Sequence, residues 1–194
     1  MTLALLADLC QTLAEAFLEP GADLGEDLRA LLDRGPGPAL AGPLDRMVRN
    51  GLGEAQAVEY ARLFLHARDT DTVHLFESVQ ARGHHLAPEV LGPLQALYAA
   101  ADLSPQEDLG LPPDHLGLEL ACLGHLLGQV AEGSPAERAR VAELARRLIR
   151  EHLRPFLARV AAQLPRVQAH PYYLAASDVA SALWPEAEKA LAEI

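Results

Sequence analysis

A chain of 194 residues is long enough for one substantial hydrophobic core and reads as a single domain spanning 1–194. Half of it is hydrophobic, alanine and leucine dominate and aromatics are only 5%, which excludes a disordered chain and favours helix over strand. With 27 acidic and 16 basic residues the formal charge is −11; such a chain repels phosphate backbones, so no nucleic acid is expected as a partner, whereas a basic peptide or protein patch would suit it.

The opening "MTLALLADLC" has no Lys or Arg before its leucines and is interrupted by Asp8, so it reads as an amphipathic helix, not a signal peptide. Leu6, Leu9, Leu13 and Phe17 follow three- and four-residue steps, and Thr2 is placed to cap them. "EPGADLG" (19–25) closes this helix, and a short one follows around Glu26 to Leu32. "DRGPGPALAGP" (33–43) has no periodicity and reads as a Gly/Pro loop, with its 34–43 stretch a candidate hinge for exchanging helices between two copies. Helix resumes in "GEAQAVEYARLFLHA" from Gly53, with Val58, Ala61, Leu63 and Leu65 among its apolar positions. After "RDTDT" (68–72), "VHLFESVQARG" reads as a short helix or turn.

Further helices are expected from about Pro88 to Ala101 and from about Pro113 to Ala131. Ser104-Pro105-Gln106-Glu107 and Ser134-Pro135-Ala136-Glu137 both have the capping-box form with proline at the first helical position. The second opens a helix carrying Val141, Leu144, Leu148 and Leu153, expected to kink at Pro155 and run on through Phe156, Val160 and Leu164. A last helix starts near Tyr172, with a kink or break near Pro185. No alternating strand pattern and no repeat is present, and no uncharged run reaches the ~18 residues of a membrane span. The expected fold is an all-α bundle of short and medium helices, cytoplasmic and without stable membrane insertion. Two isolated cysteines, Cys10 and Cys122, suit a reducing compartment.

Few constellations carry chemistry. His115, Glu119 and Cys122 share a helix face, but His125 is rotated away and Cys122 sits in an apolar run, so packing is the expected role and no metal or cofactor is expected. No GxSxG, phosphate-cradling glycine loop or dinucleotide fingerprint occurs, and the chain is not expected to be an enzyme. The adjacent Asp114-His115 of "LPPDHLGLEL" (111–120) stays open between a base with its orienter, a structural cap and a grip for a partner. As a cap, Asp114 would complement the macrodipole of the helix it precedes, with His115 an ordinary first-turn residue.

The series "EYARLFL" (59–65), "VHLFESV" (73–79) and "LPPDHLGLEL" resembles the TorD/DmsD/NarJ family of redox-enzyme maturation chaperones, and "REHLRPFLARVAAQLPRVQAHPYY" resembles its C-terminal part. Leu111 stands where many members have an acid, Phe156 where tryptophan is common, and "HARDTDT" lacks the usual Gly and Pro; these departures leave the subfamily and the client open. The resemblance implies a TorD-like fold and a chaperone that binds the N-terminal segment, twin-arginine or not, of a molybdopterin-dependent oxidoreductase subunit. It would hold the apoenzyme for cofactor insertion, as a monomer or a helix-swapped dimer. A generic helical adaptor without a redox client, or an enzyme with His115 as base, are the alternatives. On the family arrangement Tyr60, Phe64, Phe76, Glu77 and Ser78 share the peptide cleft with Asp114 and His115. The two prolines are then expected to hold Asp114 and His115 at the rim of an apolar groove, where Asp114→Asn weakens peptide binding by roughly 1–3 kcal/mol while stability changes by about 1 kcal/mol or less.

Overall fold

The computed structural model describes residues 1–18, 24–51, 53–65, 72–104 and 110–194. Among them the chain is helical with no strand, as composition and periodicity predict. The Ser104–Glu107 capping box, most of the "EPGADLG" breaker and most of the 68–72 loop lie outside the described residues.

Helix α1 (Leu3–Leu18) starts where Thr2 predicts: the Leu5 N–H donates to Thr2 Oγ1 at 3.3 Å. Its stripe packs on α7 (Leu116–Glu132), the largest helix–helix interface, and two glycines set how close they come. A Cβ on Gly117 would lie 2.4 Å from Leu18 Cγ, and one on Gly124 would lie 2.8 Å from Gln11 Nε2 and 3.0 Å from the Ala7 carbonyl oxygen. Leu116, Leu120, Leu123 and Leu127 of α7 are all fully buried, as are Leu126 and Val130, so this helix is apolar nearly all round because it is the centre of the bundle.

Helix α2 (Gly25–Asp33) matches its expected place. The Gly/Pro stretch does not: α3 (Pro38–Arg49) begins inside it, so a hinge over 34–43 is corrected to a short connection around Gly35 and Gly37, both at positive φ. Pro38 is favourable at the first helical position, and Pro43 is carried because Leu40, Leu44 and Met47 are fully buried, α3 packing mainly on α10 (Pro171–Leu191). Tertiary burial outweighs local propensity here.

After a 3₁₀ turn (Gly53–Ala55), α4 (Gln56–Tyr60) runs into a π-helical segment, Ala61–Leu65. Val58 and Leu65, expected on the apolar face, are instead 72% and 60% exposed. Helices α5 (Glu77–Arg82) and α6 (Pro88–Ala100) follow, then α7 and α8 (Pro135–Arg147), the latter with its Ser134/Glu137 capping box formed. A second π-helical segment, Leu148–Leu153, leads into α9 (Arg154–Gln163) and absorbs Pro155, which sits in the first turn of α9. α10 continues through Pro185 without a break.

Arginines close several helix ends. Arg140 donates to the Ala100 carbonyl, Arg159 to Gln80 and Arg146 to Leu191, placing cations at the carboxyl ends of α6, α5 and α10. Glu59 and Arg62 work as a pair at the α9–α10 corner: Arg62 donates to the Val167 and Gln168 carbonyls beyond α9, and Glu59 accepts the His170 N–H just before α10. Their mutual salt bridge is 2.7 Å, and Arg62 holds the Glu59 carboxyl below the usual range.

Candidate functional site

The segments "VHLFES" and "LPPDHLG" meet in an exchange of backbone hydrogen bonds around an antiparallel bridge between Phe76 and His115. The Leu116 N–H donates to the Leu75 carbonyl and the Glu77 N–H to the Asp114 carbonyl, both at 2.9 Å. Phe76 is the residue before α5 and has no side chain able to cap it. Asp114 supplies the cap from outside: its Oδ2 accepts the Ser78 N–H at 2.9 Å and the Ser78 hydroxyl at 2.5 Å. His115 is the N-cap of α7, its Nδ1 accepting the Gly117 N–H at 3.2 Å. Adjacent side chains point in different directions, which makes this pair a poor relay and a good double cap: the acid closes one helix and the imidazole the other.

The entry turn is fixed by its own partners. The His115 N–H donates to the Pro112 carbonyl, and the Tyr98 hydroxyl from α6 donates to the Pro113 carbonyl at 2.8 Å. Val73, whose N–H donates to the Leu63 carbonyl, ties "VHLFES" to the π-helical end of "EYARLFL". Thus the three segments predicted to carry function form one hydrogen-bonded unit.

That unit is closed, and here the sequence expectation needs correction. Asp114 is 0% and His115 3% exposed, so neither stands at a rim. Ser78, Glu77, Tyr60 and Phe64 are buried as well, and only Phe76 among the seven predicted site residues keeps appreciable exposure. Tyr60 donates to the Phe17 carbonyl at 2.8 Å, and Phe64 packs edge-on to Tyr60 and Tyr173 with centroids 5.1 and 5.2 Å apart. Phe76 lies between His115 and His85, at 5.2 and 4.9 Å.

Burial sets the electrostatics. It pushes the His115 pKa down to about 4, against the opposing pull of the Asp114 charge, so the ring is neutral at pH 7 and its Nε2 carries the proton. One turn further along α7, Glu119 is fully buried with neither carboxyl oxygen hydrogen-bonded among the described residues, and burial, then Glu77 and Asp114, raise its pKa far above the carboxylate range. Cys122 is buried and its thiol is pushed up to about 12. No group of three or more His, Cys, Asp or Glu able to hold a metal ion occurs among the described residues; His125 pairs with Gln129.

Two partners were not predicted. His152 of the second π-helical segment bonds Glu77 Oε2 through Nδ1 at 2.8 Å, both side chains buried, and Tyr98 holds the proline turn. The only signal for His152 was its place in "REHLRPF", and Tyr98 had none.

The family described as nitrate reductase delta subunit matches residues 36–162, well over half of the chain. The chain belongs to this family. Its members are the NarJ/TorD-like chaperones that assemble molybdoenzymes, as the sequence resemblance implied. No curated protein matches the chain. The span that matches the delta subunit family holds all seven predicted site residues with Tyr98, Glu119 and His152, whereas α1 and α10 lie outside it. Among the described residues no helix is long and apolar enough to cross a membrane.

Proposed function

We propose that this delta subunit family member is a cytoplasmic chaperone that binds the N-terminal segment of a molybdopterin-dependent oxidoreductase subunit and holds the apoenzyme until its cofactor is inserted. The observation that carries the reading is the joining of "EYARLFL", "VHLFES" and "LPPDHLG" into one unit within the matched span. In this reading Asp114, His115, Glu77, Ser78, Tyr60 and Phe64 act as positioning residues behind the peptide site, and Phe76 faces it. A double cap suits that task, because a surface that must select one extended segment gains affinity when its wall is already ordered. Val58 and Leu65, exposed on the element that carries Tyr60 and Phe64, supply apolar contact area beside it.

Purification of the tagged chain from its native cell, followed by identification of the bound protein, tests the proposal. A molybdopterin oxidoreductase subunit recovered in stoichiometric amount, and lost when its N-terminal segment is deleted, is the expected result. Recovery of unrelated partners only would contradict it and favour a general adaptor.

A further inference from the structure

Three carboxyl groups meet inside the capped unit: Asp114 from the proline turn, Glu77 from α5 and Glu119 from α7, all of them buried. Two have partners. Asp114 Oδ2 accepts both bonds from Ser78, and Glu77 Oε2 is paired with His152 Nδ1. Neither oxygen of Glu119 has a donor among the described residues, and Asp114 Oδ1 is bare as well. Like charges gathered in a buried site cannot all be held there, so the carboxyl without a donor is the one that keeps its proton. Burial first, then Glu77 and Asp114, act on Glu119 in that direction.

The cover over this cluster is α6. Its Tyr98 faces every member: burial, then Glu119, Cys122, Asp114 and Glu77, raise the pKa of the hydroxyl well above its usual value. His115 at the turn and His152 on the second π-helical segment complete the titratable surround. α6 is also held lightly. It meets α5 and the second π-helical segment in small interfaces, and it carries Gly92-Pro93 in mid-helix, where the proline removes a backbone bond. Leu86 and Asp102 bound it, both at positive φ, a strained backbone for a leucine. Its polar ties are few: the Tyr98 hydroxyl on the Pro113 carbonyl at 2.8 Å, Arg140 on the Ala100 carbonyl and an exposed Arg82–Glu89 pair.

We propose that α6 is a flap over the Asp114–Glu77–Glu119 cluster, shut while Glu119 is protonated and lifted when it ionises. An ionised Glu119 faces two other carboxyl groups with no donor of its own, and displacement of Tyr98 with its helix is the smallest movement that lets water reach it. The shut state holds one proton more than the open state. Opening therefore becomes more favourable as pH rises above the ordinary carboxyl range, by up to about tenfold per pH unit. Lifting α6 bares Leu94, Leu97 and the Cys122 thiol, all buried when it is shut. On the chaperone reading this enlarges the apolar surface open to a client, but the flap rests on the chain's own contacts and stands without that reading.

Pulsed alkylation of the full chain with iodoacetamide, read by peptide mass spectrometry, tests the flap. Cys122 lies under α6, whereas Cys10 is buried between α1 and α7 and reacts only when the whole molecule unfolds. Cys122 is expected to react at least about tenfold faster than Cys10, because local opening costs less than global unfolding. The ratio of its rate in wild type to that in Glu119→Gln should climb with pH; thiol ionisation is common to both and divides out. Glu119→Met serves the same purpose where the glutamine is not accommodated. Tyr98→Phe, which loses the bond to Pro113 but keeps the ring, should speed Cys122 labelling by about two- to tenfold and leave its pH dependence in place. Cys122 reacting no faster than Cys10, a wild-type to Glu119→Gln ratio that stays constant across pH, or a Cys122 rate unmoved by Tyr98→Phe would each overturn the flap. No client is present in the assay, so a failure of the chaperone reading would show separately, in the identity of the co-purified protein.

Discussion

Asp114 and His115 explain why an acid and an imidazole stand side by side at a helix mouth. Each satisfies backbone N–H groups that the first turn of a helix leaves open, and the two helices differ. With Asp114 buried and accepting two bonds from Ser78, Asp114→Asn is expected to lower stability by about 1–3 kcal/mol, read as the midpoint of denaturant unfolding. His115 adds a pH dependence. Its folded pKa of about 4 lies below the unfolded value near 6.5, so the folded state binds fewer protons between them. The stabilisation is complete above pH 6.5 and is lost as pH falls toward 4, up to about 3 kcal/mol, and His115→Gln should flatten that limb of a stability–pH curve. Glu119 acts with the opposite sign. Its raised pKa means the folded state keeps a proton that the unfolded chain releases, so stability falls as pH climbs above the ordinary carboxyl range. Glu119→Gln should remove the decline that sets in above the ordinary carboxyl range, whatever it does to absolute stability; a wild-type curve with no such Glu119-dependent decline would show that Glu119 is ionised in the fold.

At the scale of elements, the helices written by apolar period alone were legible, and those needing tertiary information were not. The leucines of α1 and α7, the Ser134 box and the starts of α6 and α10 follow from local rules of spacing and capping. α3 does not, because its prolines and glycines speak against a helix that only burial on α10 makes stable. The rim expectation failed for a related reason: sequence places Asp114 beside the N-terminus of α7, and nothing local says that α5 lacks its own cap and will borrow one. Gly117 and Gly124 were equally silent, since their meaning depends on α1 lying across them. Gly124→Ala is expected to cost about 1–3 kcal/mol, because Ala7 and Cys10 stand at 3.0 and 3.1 Å from the new methyl. Gly128→Ala, on the same helix with open space around it, should instead stabilise by about 0.4–1 kcal/mol. A Gly124→Ala variant that melts as high as wild type or higher would mean that α1 and α7 are not so closely packed.

For the whole molecule, the family was readable because its motif segments are the ones that must touch to close two helix ends. Their partners, His152 and Tyr98, come from distant elements and could not be ranked among other histidines and tyrosines by spacing. Val58 and Leu65, both exposed, and the half-buried Phe76 stand apart from any local rule, because their exposure depends on what packs beside them. The proposed function requires the Asp114 cap to order the peptide-binding wall from behind without touching the peptide. Isothermal titration of the co-purified client's N-terminal peptide into wild type and Asp114→Asn, at a temperature where both are folded, tests it most directly. Affinities within about threefold of each other are expected, beside the loss of stability given above. A tenfold or greater loss of affinity with unfolding unchanged would mean that Asp114 grips the peptide itself.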